Sequence, residues 1–363
     1  MCTSACGGSA TTTVTPTSTD PTSGMGGSGA TLPDPTTTPG ATPAPGPSPT
    51  PGPSPTPGPS PAPGPSPAPG DFTWTEESTG RAEPVVAIWG SGPDDVWAVG
   101  GHGVVHSKGD GTWTTLHEDA GEGYHAVIGD GGWIFVGGMA CDNGVCQGGV
   151  LLRSSDGGAS WSDQALGSGV TGFSAAAGTV YADSSDVFAS SDGFATSTTV
   201  PLDWATSSGV FADGANLYAY GGERNAELRR SGDGGQTWTS VWAGAYGSQT
   251  SSTTGVARGG ATLFALANGC SVPSCVGALL RSSDGGATWS EGSRPQDFVA
   301  GVWAASDSDV WVGGTTLMRS SDGGATFTKV TLPVDTTILA LWGPNANELY
   351  AVGQNGAILH GRR

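Results

Sequence analysis

Lysine is almost missing from this chain: Lys108 and Lys329 are the two among 363 residues. With 32 acidic residues against 13 basic ones, the formal charge is −19. A nucleic-acid partner needs a basic surface for its phosphates, so none is expected. Anionic membrane surfaces are disfavoured for the same reason. Long apolar runs are missing too, and no stretch approaches the ~18 residues of a spanning helix. Glycine is plentiful, at 63 residues, but lacks the strict three-residue period of a collagen-like fibre. The first 70 residues have no aromatic side chain and only two charges, Asp20 and Asp34. They hold 19 of the 26 prolines, whereas all 13 tryptophans come later. A segment so poor in apolar surface cannot offset its ordering entropy. The composition therefore predicts a disordered leader before one folded region, residues 71–363. Removing the two leader acids leaves the folded part at −17, a charge that favours solubility.

The leader divides again. Residues 1–43 are rich in Ser, Thr and Gly. Residues 44–70 are dominated by the hexapeptide PGPSPT or PGPSPA, repeated four times over 45–68. Proline at alternate positions favours polyproline II, so residues 45–70 would reach roughly 80 Å at about 3.1 Å per residue. A spacer is the expected role. No positively charged and then apolar stretch typical of a signal peptide precedes the tether. The start, T-S-A-C-G-G followed by a Ser/Thr/Gly tether, resembles the processed end of a bacterial lipoprotein. That resemblance implies Cys6 as the lipidated residue, an initiation site upstream of Met1 and membrane contact through the lipid alone. The family's leucine three positions before the cysteine is a Thr here.

The six cysteines form three close pairs: Cys2/Cys6, Cys141/Cys146 and Cys270/Cys275. Each of the last two pairs encloses four residues. Reduced thiols and zinc ligation remain alternatives, but C-x4-C without nearby histidine is a poor zinc site. Two loop-tip disulfides, Cys141–Cys146 and Cys270–Cys275, are the favoured reading. They imply an oxidising, extracytoplasmic compartment.

From residue 71 the chain repeats itself, the signature of a solenoid or propeller. Four octets stand out: Ser154–Trp161 (SSDGGASW), Ser231–Trp238 (SGDGGQTW), Ser282–Trp289 (SSDGGATW) and Ser320–Phe327 (SSDGGATF). Ser190–Ser197 (SSDGFATS) reads as a decayed copy and Ser107–Trp113 (SKGDGTW) as a shortened one. The aspartate can accept bonds from the N–H groups of its own turn. The glycines permit positive φ. A short strand ending in Arg153, Arg230, Arg281 or Arg319 precedes each full copy, so the octet is a hairpin tip. The octet matches the Asp-box S-x-D-x-G-x-T-W. The chain thus resembles the Asp-box (BNR) repeat proteins, over about 80% of its length. That family includes sialidases, sortilin-type receptors, endoglucanases and photosystem II assembly-factor-like proteins. The resemblance implies a β-propeller. It implies structural roles for Ser154, Asp156, Gly158 and Trp161, and for Ser231, Asp233, Gly235 and Trp238. The same holds for Ser282, Asp284, Gly286 and Trp289, and for Ser320, Asp322, Gly324 and Phe327. It does not fix an activity, because enzymes and non-enzymes share the box.

VVAIWGSGPDDVWAVG (Val85–Gly100), VAGVWAASDSDVWVGG (Val299–Gly314) and ILALWGPNANELYAVG (Ile338–Gly353) repeat another pair of strands. Four strands per unit fit a propeller blade. Six outermost strands follow the boxes. A seventh unit begins at Ile338 and stops at its third strand. Phe72–Thr75 repeats the missing fourth, so the expected fold is all-β: a seven-bladed propeller closed by its N-terminal strand.

The boxes should share one face with the turns between first and second strands. The opposite face carries the connections between blades and both cysteine loops. In the resembled enzymes, chemistry occurs on that opposite face. Ligand-face candidates are Trp242, Tyr246, Tyr124, Glu118, Asp119, Arg81, Arg224 and Arg294. Sialidase chemistry demands an arginine triad, a Tyr–Glu pair and a general acid. Arg81, Arg224 and Arg294 are the arginines available, no Arg-Ile-Pro motif occurs, and Tyr124 and Tyr246 lack a matched glutamate in sequence. A glycosidase needs two carboxylates at controlled separation, and Glu118 with Asp119 is one pair among many. No G-x-S-x-G elbow or HExxH helix is present. His102 and His106 read as ordinary strand or loop residues. No catalytic residue, metal or cofactor is assigned. The expectation is a monomeric, secreted or surface-anchored binder of protein or glycan, with an Asp-box glycoside hydrolase as the alternative.

Overall fold

Second strands are the most apolar segments of the folded region, and they lie deepest between neighbouring sheets. Val96–Gly100 and Val310–Gly314 are buried throughout, as expected of strands covered on both faces. The computed structural model describes residues 72–363 apart from 143–144, 203–206, 223–224, 247–249, 272–273 and 296–297. The leader, the tether, Cys6 and Arg224 lie outside the described residues. Seven four-stranded antiparallel sheets account for the strands. Blades one to six run 87–118, 122–166, 172–200, 207–244, 250–291 and 299–329. Each innermost strand packs against the next, and the innermost strand of blade seven, Ile338–Asn345, packs against that of blade one, Ala87–Gly92.

Blade seven takes its outermost strand from the other end of the folded chain. Thr73–Glu77 pairs with Ile358–Arg362, from Thr73 opposite Arg362 to Glu77 opposite Ile358. The seven-bladed, N-terminally closed ring is the expected fold. The closing strand lies one residue later and reaches further, to Glu77. Closure pairs edges that would otherwise be exposed. Glu77, at the end of the closing strand, is buried. Its Oε1 lies 2.7 Å from Nδ1 of buried His360, whose Nε2 lies 2.7 Å from Glu348 Oε1. Trp113 Nε1 donates to Glu77 Oε2 at 2.8 Å, tying blade one to the same latch.

The core is a set of clusters between adjacent blades. Three tryptophans on innermost strands lie over glycines of the next blade. A Cβ on Gly129 would fall 2.2 Å from the Trp89 ring, one on Gly90 2.5 Å from Trp342, and one on Gly343 2.8 Å from Trp303. Further out, second-strand aromatics meet the next blade's outer edge: Trp97 with Trp161, Tyr350 with Trp113, and Trp311 with Trp74. Edge-to-face pairs of this kind add to the burial of the rings.

The octets sit at these seams. In the box of blade two, Ser154 Oγ donates to Asp156 Oδ1 at 2.8 Å and accepts the Gly158 N–H at 2.8 Å. The Ser160 N–H donates to Oδ1 and its hydroxyl to Oδ2. The same bonds recur around Asp233, Asp284 and Asp322. A Cβ on Gly286 would fall 2.2 Å from the Tyr218 ring, whose hydroxyl donates to Gly285 O at 2.7 Å. Arg153 likewise crosses a seam, donating to Gly193 O in blade three at 2.6 Å.

Blade three departs from the rule. Its octet keeps every bond of the box: Phe194 N–H to Ser190 Oγ, and the Thr196 N–H and hydroxyl to Asp192. Ser197 stands where the full copies have their final aromatic. The missing ring comes from Phe194, which occupies the left-handed region at φ +59 where the full copies have glycine. It is 2% exposed and packs edge-to-face on Phe135 of blade two. The copy is rearranged rather than decayed.

Candidate functional site

The face opposite the boxes, here the connection face, carries the hairpins between second and third strands. Two of them are long. Cys141 stands opposite Cys146 in blade two, and Cys270 opposite Cys275 in blade five. The structure joins each pair in a disulfide. Two large apolar side chains are prominently exposed among the described residues, and both lie on this face. Val145 is at the tip of the first stapled hairpin, 56% exposed, and Phe298 is on the connection from blade five to six.

Beside the second hairpin, three of the ligand-face candidates, Trp242, Tyr246 and Arg294, meet around Glu291. Trp242 comes from the outermost strand of blade four, Thr239–Gly244, and Tyr246 from the connection that follows it. Their rings stack at 6.0 Å. Gly269, next to Cys270, lets Tyr246 lie against the hairpin, since a Cβ there would fall 2.3 Å from the tyrosine Cβ. The Tyr246 hydroxyl donates to Glu291 Oε2 at 3.0 Å. Arg294 Nε donates to Glu291 Oε1 at 3.0 Å and its guanidinium lies 5.6 Å from the Tyr246 ring. Both aromatics are half-buried, each offering part of its ring to solvent. Burial and the Glu291 bond push the Tyr246 hydroxyl above its ordinary value, which opposes use of the phenolate as a nucleophile.

The remaining candidates separate. Arg81 forms ion pairs with Glu118 at 3.2 Å and Glu83 at 3.6 Å and lies over Gly103 of blade one. Asp119 accepts the Gly121 N–H at 2.8 Å in a local turn. Tyr124 must be corrected: it is a core residue of the innermost strand of blade two, 1% exposed, and cannot face a ligand. Its apolar neighbours, Val127 and Val136 among them, hold the ring, while its hydroxyl donates to Glu122 Oε2 at 2.6 Å. Both tyrosines thus have glutamate partners: Glu122 lies two residues from Tyr124, the same-face spacing of a strand, whereas Glu291 is 45 residues from Tyr246 and no local spacing reaches it. The described arginines do not form a triad: Arg81 and Arg294 belong to different interblade connections, and each is paired with a local carboxylate.

His102 Nδ1 bonds the Glu122 carbonyl, whereas His106 Nε2 lies 2.8 Å from Asp95 Oδ1. Among the described residues no three His, Cys, Asp or Glu side chains are grouped to hold a metal ion. One cavity on the connection face, about 270 Å³, is lined by Thr316 and residues 329–336, with a single acid, Asp335, and no aromatic ring. Larger cavities lie on the box face, around Asp130 and Trp133, which the sequence reading did not single out. Position-by-position alignment of the blades would have found them.

One buried group breaks the repeat. Asp183 ends the second strand of blade three where blades one, five and seven have Val99, Leu266 and Val352. It is 2% exposed. Oδ1 accepts the Val210 N–H of blade four at 3.1 Å, and Oδ2 has no partner among the described residues. Burial pushes its carboxyl up to about 7.

No protein-family model matches the chain, and no curated protein matches it. Solved structures do. YCF48 bound to D1 peptide is similar at a TM-score of 0.60 and 16% identity, over 80% of this chain and 97% of that one. YCF48 from Cyanidioschyzon merolae gives 0.59 and 17%, over 80% and 98%. The GH74 xyloglucanase from Xanthomonas campestris gives 0.61 and 17%, over 79% of this chain and 53% of that one. Identities this low speak for the fold alone: these neighbours are β-propellers, and the present chain is a seven-bladed one.

Proposed function

We propose that this protein is a non-catalytic, extracytoplasmic propeller that binds a protein or glycan ligand through its connection face. The observation that carries the reading is the Trp242–Tyr246 stack beside the Cys270–Cys275 hairpin. A stacked aromatic pair with a polar rim offers area at low entropy cost, as binding surfaces on rigid scaffolds do. The carboxylate beside it, Glu291, is committed to Tyr246 and Arg294, and elsewhere on this face Glu118 is committed to Arg81. The Asp-boxes act in this reading as seam-locking turns. The disulfides suit an oxidising compartment, and the proline-rich segment serves as tether, with Cys6 as its lipid attachment. The ring works as a monomer. A peptide-bound propeller among the structural neighbours supports the kind of use, though not the ligand.

A second reading has one specific observation behind it. Tyr246, Glu291 and Arg294 are the residue types that Asp-box glycosidase chemistry would use, brought together on the correct face. A printed glycan array, a displayed peptide library and a chromogenic glycoside panel separate the two. Retention lost at least tenfold on Trp242→Ala, with no glycoside hydrolysed, supports binding. Hydrolysis abolished by Glu291→Gln overturns it in favour of the enzyme.

A further inference from the structure

The two box-face cavities share a wall. One, about 470 Å³, lies between blades one and two and is lined in part by Trp89, Asp95, Trp97, Asp130 and Trp133. The other, about 390 Å³, lies between blades two and three, again with Asp130 and Trp133 in its lining. These two residues pair across the Gly131–Gly132 turn, whose φ angles of +58° and +85° mark the hairpin geometry that glycine favours.

Blade four repeats this arrangement with one addition. Asp213 holds the position of Asp130: each ends an innermost strand and pairs across a two-residue turn. The following blade answers Asp213 with Arg258. Its Nε donates to Oδ1 at 2.8 Å, and its Nη2 bonds Oδ2. Arg258 stands one place before its own turn, opposite Leu263. The equivalent residue after blade two is Ala175, opposite Val180. Asp130 therefore receives no guanidinium from its neighbour. Among the described residues, nothing donates a hydrogen bond or ion pair to its carboxylate.

We propose that the Asp130 cleft binds an arginine side chain of a protein partner, which takes the place Arg258 takes against Asp213. The lining supports that choice. Its polar side chains beyond the tryptophans are carboxylates and serine hydroxyls, with no lysine, arginine or histidine. Asp95 is already engaged by Ser91, Trp97 and His106, which leaves Asp130 as the open acceptor. Tryptophan walls suit a planar guanidinium, which stacks as well as bonds. Trp133 already has such a neighbour, with the Arg153 guanidinium 5.5 Å from its ring and turned to Gly193 O. A chain at −19 also attracts cations.

The test is isothermal titration of the whole chain with acetyl-Gly-Arg-Gly-amide and its citrulline counterpart, which keeps the shape and loses the charge. The arginine peptide should bind saturably and the citrulline peptide at least tenfold more weakly. Asp130→Asn should weaken the arginine peptide at least tenfold. Glu76→Gln, which removes the same charge from an exposed strand, should leave it unchanged. Ala175→Arg, supplying the missing guanidinium internally, should also weaken it tenfold, with an unfolding temperature no lower than that of the unmodified protein. No saturable binding, equal binding of the citrulline peptide, or equal weakening by Asp130→Asn and Glu76→Gln would overturn the proposal.

Discussion

Phe194 does two things that conflict. Its backbone sits at a positive φ that costs a non-glycine residue energy, and its ring fills the seam between blades two and three. Truncation to alanine should cost ~3–5 kcal/mol in denaturant unfolding, in the range for buried phenylalanine. Phe194→Gly leaves a similar cavity but relieves the backbone, so it should be more stable than Phe194→Ala by ~1 kcal/mol. The opposite order would show that φ matters little here. The box aspartates give a pH signature. The hydroxyls of Ser160, Thr237, Thr288 and Thr326, with the N–H groups of the same residues, hold Asp156, Asp233, Asp284 and Asp322 down to about 2. In Asp192 the Thr196 N–H leads. A lowered carboxyl stabilises the fold above its unfolded value near 4, and that stabilisation is lost as pH falls towards 2. Asp284→Ala should lower the unfolding temperature at pH 7 and narrow its gap to the unmodified protein at pH 2. Asp183 acts in the opposite sense. Its raised carboxyl is protonated in the fold where the unfolded chain has already lost the proton. Its contribution declines as pH rises from about 4 through 7. Asp183→Asn should remove that decline in urea midpoints measured from pH 5 to 8. An unchanged slope would place the titration elsewhere. Nothing in the sequence flagged either residue as special on its own. Phe194 looked like loss of the motif, because the ring had moved three positions along the octet. Asp183 became visible only when its strand was aligned against Val99, Leu266 and Val352.

At the scale of strands and hairpins, the closing strand is the most consequential element. It brings Glu77 to His360, and Phe72 and Trp74 to Trp311. His360→Ala leaves buried Glu77 and half-buried Glu348 without their shared partner, although Glu348 keeps Arg362. Amide exchange should then accelerate first in Thr73–Glu77 and Ile358–Arg362, ahead of the other blades. Uniform acceleration across all blades would mean that the latch is no weaker point than any other seam. The stapled hairpins should behave more modestly. Closing so short a loop is worth ~2 kcal/mol by chain entropy. A Cys270→Ser/Cys275→Ser variant should therefore keep the fold while loosening the hairpin against Tyr246. The sequence made much of this legible. Octets, second-strand repeats and the orphan fourth strand fixed blade number and closure, since each is a local pattern with a period. Latch and seam contacts were not legible. They join residues as far apart as Glu77 and His360, and no spacing rule reaches across the ring.

For the molecule as a whole, seven seams make a rigid ring whose two faces differ in kind. One face is built from tight box turns whose aspartates mostly satisfy themselves. The other carries long stapled hairpins, half-buried aromatics, and the exposed Val145 and Phe298. The sequence indicated this division of faces correctly. It took Tyr124 for a surface residue, because a Tyr beside acidic residues looks exposed until its strand is seen to be innermost and its ring buried. The most direct measurement is retention on a printed glycan array and a displayed peptide library. It compares the unmodified chain with a Trp242→Ala/Tyr246→Ala variant shown by circular dichroism to be folded. A ring that binds through its connection face gives a saturable ligand whose retention falls at least tenfold in the variant. A ligand retained equally by both proteins would contradict it.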